Sequence, residues 1–461
     1  MISQLKGKSN INSVFMLKKR VFLLAFVFLL CYNLYVKKSD EGKQDNMETV
    51  KEKSQGRVKT GKGAFLPIFL CWLAYTAAYL GRYSYSSNIT AIEDAFGVTH
   101  SQSGLVTTCF FFAYGIGQVV NGILCKHYNK RVIISFVLLV SSAINVTIFL
   151  GVPFEYLKYL WLLNGVAQSV LWSSLIFVLS ENLESGSLTK AVLAMSTTVT
   201  VGTFTVYGFS SLMSLIGNYT YTFLFAATVM TIASFCWVLL YKKAFKGAVK
   251  LEKANKSVQN YEKADLSLIV MIVMLCLLAV ANNLVKDGLT TWVPSILKEQ
   301  FGLPEALSIL LTLILPIVGI FGAVANAALK KRISSFLTVG GIWYFISAVC
   351  LAFVIIFLKL DIWYLVLFFF GIVALSMYGT NNLITSMAPL YMRDRINSGL
   401  LAGIINGCCY VGSTVSSYGL GTVADNFGWL GVFVLLLCVA VFAVIISLLG
   451  LLNKSANSKD G

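Results

Sequence analysis

Charge is what this chain has least of. Of its 461 residues only 12% are Asp, Glu, Lys or Arg, against 57% hydrophobic, and mean hydropathy is +0.78. A soluble domain carries about 25% charged residues, so lipid rather than water must solvate most of this surface. Histidine is also scarce: His100 and His127 are the only two, both near predicted loops, which leaves Ser/His/Asp chemistry little to work with. No CxxC pair or Cys/His cluster occurs, and the 10 cysteines fall mostly inside apolar runs, as at Cys71, Cys109, Cys236, Cys276 and Cys350. Cys408 and Cys409 are adjacent within a predicted helix. All read as small hydrophobic side chains, with neither disulfide nor metal expected. No glycine-rich phosphate loop precedes a soluble helix, which disfavours a nucleotide-driven pump. With no nucleophile–base pair either, an enzyme is disfavoured, and no catalytic residue or cofactor is assigned.

What is present is a series of apolar blocks, each long enough for about 30 Å of hydrocarbon. Twelve spans are predicted: 64–92, 104–125, 131–151, 157–179, 191–215, 219–241, 266–297, 305–329, 335–358, 361–388, 399–424 and 429–452. The net charge of +16 would suggest nucleic acid in a soluble protein. Here the basic residues lie between spans, so no nucleic-acid partner is expected. The loops at 126–131, 180–190, 242–265, 330–334 and 391–398 carry sixteen Lys and Arg, whereas the alternate loops hold only Lys158, Lys298 and Lys359. By the positive-inside rule this split places both ends of the core in the cytoplasm.

Residues 1–62 stand apart. A short apolar stretch, Val21 to Val36, is flanked by Lys18-Lys19-Arg20 and Lys37-Lys38 and followed by a polar run. It reads either as a signal-like or anchor segment, without a clear A-x-A cleavage site, or as residues ahead of a start at Met47. The core then divides into a six-helix half at 63–241, a basic linker at 242–265, a second half at 266–453 and a tail at 454–461. The halves look alike. Lys126 to Arg131 follows the second span of one, and Lys330-Lys331-Arg332 follows the second span of the other. Arg82 and Lys286 occupy matching places in their first spans. Two parallel six-helix repeats with a site between them near mid-membrane resemble the major facilitator architecture. The expectation is therefore an all-α membrane protein with twelve transmembrane helices in two pseudo-symmetric halves.

Arg82 is the most informative residue. An arginine at the bilayer centre costs roughly 2.5–3.5 kcal/mol on insertion scales, so a partner, a wet cavity or an anion must offset it. Around it Tyr79, Tyr83, Ser84, Tyr85, Ser86, Ser87 and Asn88 are small or hydrogen-bonding, suited to lining a wet cavity. The bland alternative ends the helix near Arg82, which then snorkels to the headgroups. Lys286 reads as a second cation on the same cavity. Its bland alternative is a pair with Asp287, set against the poor mutual geometry of adjacent helix residues. Gly115, Gly117, Gly122, Gly319, Gly322, Gly403, Gly407 and Gly412 are expected to permit close helix packing.

Several blocks together resemble a specific group. These are Tyr75-x3-Tyr79-x2-Arg82, Ala113-Tyr114-Gly115, Asn164-Gly165-x2-Gln168-x3-Trp172, Asp287-Gly288-x3-Trp292-x-Pro294, Tyr378-Gly379, Cys409-Tyr410-Val411-Gly412 and Asp425-x-Phe427-Gly428-Trp429. In order and spacing they resemble the organophosphate:phosphate antiporter family of the major facilitator superfamily, over about 64–450. The resemblance implies a substrate site of Arg82, Lys286, Tyr75, Tyr79, Tyr114, Gln168, Tyr378 and Tyr410. It also implies alternating-access exchange of a phosphate ester for inorganic phosphate, by a protein expected to be a monomer in a bacterial inner membrane. The chain departs from the family's glycerol-phosphate members in four places. Lys286 replaces an arginine, Gln118 a second-helix lysine, Asn283 a seventh-helix tyrosine, and Val199 falls near a fifth-helix histidine. Two rivals remain: a membrane sensor of sugar phosphates, and a carrier of another organic anion such as a carboxylate. Proton cotransport has Asp287 as its main acidic candidate.

Overall fold

The computed structural model describes residues 62–183, 185–245, 266–392, 395–396 and 398–452. The N-terminal extension up to residue 61, most of the 242–265 linker and the tail from 453 lie outside the described residues, so the expectations for them are not taken further.

The apolar blocks form helices: α1 (Lys62–Tyr83), α2 (His100–Leu124), α3 (Lys130–Phe149), α4 (Phe154–Asn182), α5 (Ser185–Leu215), α6 (Thr220–Ala244), α7 (Leu266–Phe301), α8 (Ile314–Arg332), α9 (Phe336–Lys359) and α10 (Trp363–Asn382). A short helix, Glu305–Thr312, leads into α8. Among the described residues, eleven segments are long and apolar enough to cross a membrane, but the last runs over Leu400–Gly450, far beyond one bilayer thickness. Gly428 breaks it with φ 66° and ψ −178°, a conformation that suits glycine, which splits it into α11 (398–427) and α12 (429–452). The twelve-helix expectation therefore holds. Several helices run past their predicted ends, as α4 does, because their polar first and last turns continue beyond the apolar window. Large side chains such as Phe112, Phe136, Leu239, Phe321 and Phe442 point outward, as a surface solvated by acyl chains requires.

α1 does not end at Arg82. A 3-10 turn at Ser86–Asn88 bends the chain, and the helix resumes over Ile89–Phe96 before Gly97 closes it with a left-handed cap. About 20 Å of rise therefore separates Arg82 from that end, and headgroup snorkelling is ruled out. Side chains satisfy the backbone freed by the break. Asn88 Nδ2 donates to the Ser84 carbonyl at 2.7 Å, and Ser210 Oγ donates to the Ser87 carbonyl at 3.0 Å. Polar residues after Arg82 are thus spent on helix packing. Ser84, Ser87 and Asn88 are fully buried, and Tyr85 packs on Trp161 while its hydroxyl donates to the Ser103 carbonyl at 3.1 Å. The expectation that they line a wet cavity is corrected on that ground.

The two halves are joined at the end where α2 begins. Backbone N–H groups of His100 and Ser101 donate to the Asp425 carboxylate at 3.0 and 2.9 Å, an acidic partner at a helix N-terminus. His100 sits between Glu93 and Glu299, each 3.1 Å away, and Trp429 Nε1 donates to Glu299 at 3.0 Å. Lys298 bridges Asp94 at 2.5 Å and Glu305 at 3.1 Å. The Trp292 ring is wedged between α2 and α11, beside Gly104 and Gly421. A Cβ on Gly104 would meet the Ser417 carbonyl oxygen at 2.3 Å, and one on Gly421 the His100 carbonyl oxygen at 2.5 Å. Of the glycines expected at helix contacts, Gly412 lies against Val280 in this way, whereas Gly122 and Gly403 face open space.

Gly104→Val should push α2 off α11 and open this end. A cysteine at position 417, where Ser417 is fully buried, should then react severalfold faster with a water-soluble maleimide than in the Gly104 parent. Equal rates would show that the close approach does not hold the end shut.

Candidate functional site

Arg82 lies one turn before the break in α1, with 5% of its surface exposed. Three aromatic rings flank its guanidinium: Tyr114 at 4.2 Å, Tyr79 at 4.7 Å and Phe110 at 5.1 Å from ring centroid to Cζ. Its Nε donates to Gln168 Oε1 at 3.4 Å. No carboxylate pairs with it among the described residues. A guanidinium has five N–H donors, so one hydrogen bond and three π faces leave most of its donor capacity unused. Aromatic faces attract the charge without neutralising it.

Gln168 is fully buried on α4 and fixed from behind. Its Nε2 donates to Ser141 Oγ at 2.9 Å and to Asn164 Oδ1 at 3.2 Å, and Ser141 donates to Asn164 at 2.6 Å. Gln168 therefore aims Arg82 through a network of α3 and α4 rather than facing open space itself. Tyr75 stacks on Trp172 at 5.0 Å, meets Tyr79 edge-on at 5.1 Å, and places its hydroxyl 3.3 Å from that of Tyr114. Tyr114 in turn packs 4.7 Å from Tyr410 of α11, so this aromatic cluster crosses between the halves.

Lys286 is on α7 in the second half, with Tyr378 of α10 under its ammonium at 5.6 Å. Arg82 and Lys286 thus lie on α1 and α7, one in each half. The lysine is not a bare charge. Its Nζ is 3.0 Å from Asp287 Oδ1, because the long arm curls back although the two Cβ atoms diverge. The argument from adjacent positions fails here for that reason. Asp287 Oδ2 accepts from Ser413 Oγ and from Asn283 Nδ2 at 3.2 Å.

Of the eight residues named from the sequence, Arg82, Tyr75, Tyr79, Tyr114, Gln168 and Tyr410 form one cluster, and Lys286 and Tyr378 form a separate pair. Phe110, Ser141, Asn164 and Ser413 were missed. Nothing in the sequence marks Phe110 among many phenylalanines or Ser141 and Ser413 among many serines, and Asn164 was named only as part of a block of family resemblance. Two of the departures from the family lie elsewhere. Gln118 donates to the Ser169 carbonyl at 3.2 Å, and Val199 packs among apolar side chains beside α1.

Two six-helix halves around a buried, aromatic-lined cation define a membrane carrier rather than an enzyme. The chain belongs to the Major Facilitator Superfamily, whose pattern matches residues 71–398. It is similar to Sugar phosphate exchanger 3 of Gallus gallus, 25% identical over 398 residues, or 72% of this chain and 75% of that one. It also resembles the Membrane sensor protein UhpC of Escherichia coli (strain K12), 28% identical over 103 residues, 22% of this chain and 23% of that one. Both agree with the organophosphate:phosphate antiporter resemblance of the sequence blocks. The fold matches a bacterial homologue of the human lysosomal transporter Spinster, solved inward-facing and unoccupied, with a TM-score of 0.71 at 15% identity, covering 87% of this chain and 99% of that one.

Gln168→Leu should leave Arg82 without its one hydrogen bond and cost about 1.5–3 kcal/mol, lowering the melting temperature. Gln168→Glu should instead hand Arg82 a carboxylate, keep the melting temperature, and abolish the stabilisation that added phosphate gives. A phosphate-induced shift retained in Gln168→Glu would show that Arg82 does not face the anion.

Proposed function

We propose that the protein is a secondary active transporter of a small organic anion, a phosphate ester exchanged for inorganic phosphate by alternating access. The observation that carries this reading is Arg82, a buried guanidinium with free donors and no acidic partner among the described residues. A buried charge is tolerated when it is paired, and an arriving anion completes the pair. Arginine's planar fork suits a phosphoryl group, which it can grip with two parallel hydrogen bonds. Tyr75, Tyr79, Tyr114, Tyr378 and Tyr410 supply hydroxyls and ring faces for the remainder of the cargo. Lys286 contributes the second positive group from the opposite half, and Gln168 holds Arg82 in place.

The loop charges orient the molecule. The end joined by Asp425, His100 and Glu299 belongs to the lysine-poor face, so it is the outer one, and both ends of the core are cytoplasmic. The membrane proposed is a bacterial plasma membrane and the unit a monomer. Closure at the outer end leaves the cargo to enter or leave from the other. Binding offsets the desolvation of the cations and draws the halves together, which then rock around the site. The relative named as an exchanger supports transport, and the one named as a sensor supports a second reading, in which the cargo is bound without being moved.

Labelled phosphate offered to proteoliposomes loaded with unlabelled phosphate should accumulate, and Arg82→Ala should abolish the uptake. Binding without flux would favour the sensor. Competition by carboxylates but not by organophosphates would replace the cargo class. Arg82→Lys should impair exchange more than Lys286→Arg, since only the first loses a fork. Equal rates in the two variants would remove Arg82 from its central role.

A further inference from the structure

Asp287 stands where an anion would bind. Oδ1 faces the Lys286 ammonium at 3.0 Å. Oδ2 is anchored by Ser413, itself fully buried, and by Asn283. Asn282 backs the arrangement by donating to Asn283 Oδ1 at 3.2 Å. One oxygen is thus fixed by the protein and the other is presented to the lysine. A single negative charge offsets one of the two positive charges on the cavity, and it offsets the one that Arg82 does not carry.

An exchanger returns only when loaded, because closing an empty cavity over unpaired cations is unfavourable. Two bare cations make that penalty large, since a buried charge stripped of its partner is strongly destabilising. In this cavity Lys286 has a partner before any cargo arrives. Resting on the transport reading above, we propose that Asp287 is a resident counter-anion. It holds Lys286 while the cavity is empty and yields it to an incoming phosphoryl group. In doing so it sets how strictly entry depends on another anion leaving. Ser413 and Asn283 are positioning residues for that carboxylate. The arrangement makes the carrier a leaky exchanger: it exchanges faster than it imports, yet it returns empty at a measurable rate.

The test uses the full chain in proteoliposomes and labelled inorganic phosphate, comparing uptake into vesicles with and without internal phosphate. The quantity read is the ratio of unstimulated to stimulated uptake. In wild type, uptake into vesicles without internal phosphate should clearly exceed that of protein-free vesicles while staying below the stimulated uptake. Asp287→Asn, which strands Lys286, should lower the ratio by at least about tenfold, net uptake falling further than exchange. Removing both charges, Lys286→Gln with Asp287→Asn, should bring the ratio back to within about threefold of wild type, since no stranded ammonium remains. If Asp287→Asn does not fold, Ser413→Ala removes one anchoring donor and should lower the ratio in the same direction. Equal ratios in wild type and in the folded variant overturn the proposal. Loss of stimulated uptake in wild type is a different outcome, because it removes the exchange reading and this role for Asp287 with it.

Discussion

The structure depends on one unpaired guanidinium held inside a membrane protein. Leaving Arg82 in hydrocarbon without a carboxylate is costly, and three features of the fold exist around that cost. The continuation of the span over Ile89–Phe96 leaves Arg82 well inside it, with 5% of its surface exposed. Tyr79, Tyr114 and Phe110 give the charge faces to rest on. The network of Gln168, Ser141 and Asn164 fixes the direction in which the remaining donors point. None of these neutralises the charge, and most of the guanidinium's donors remain unused.

The second cation is treated differently. Lys286 carries its own anion, and the two halves give their cations unequal partners. Pseudo-symmetry of sequence therefore does not extend to pseudo-symmetry of charge. Arg82 of the first half has no carboxylate partner among the described residues, whereas Lys286 of the second half has Asp287. Lys286 keeps the charge of the arginine it replaces, whereas Gln118, where glycerol-phosphate members of the family have a lysine, is engaged with Ser169, and Val199, near their histidine, is apolar.

Much of the fold was legible because lipid imposes a coarse rule. Apolar blocks of fixed length and alternating basic loops give helix number and direction without any detail of packing. Arg82 was legible for the same reason, since a charge within a long apolar run needs an explanation, whereas Tyr75, Tyr114, Tyr378 and Tyr410 came only from the family resemblance of their blocks. What the sequence hid depended on side-chain reach and backbone bends. Adjacent positions on a helix suggested that Lys286 and Asp287 point apart, but a four-carbon arm closes the gap. The run Ser84 to Asn88 looked like a cavity lining, but its polar groups are consumed by the bend they create. Asp425 and Trp429 were read as marks of resemblance. Their role in closing the two halves appears only when α2, α7 and α11 meet.

The Trp292 ring occupies a slot in which neither Gly104 nor Gly421 has room for a single methyl group. A joint fitted so tightly has no stable half-open setting. Withdrawing the ring slightly forfeits much of its dispersion contact, and water does not enter until the gap is wide enough to hold it. The meeting of α2, α7 and α11 at this end is thus set by the shape of one indole and two carbonyl oxygens, before any charge there is considered.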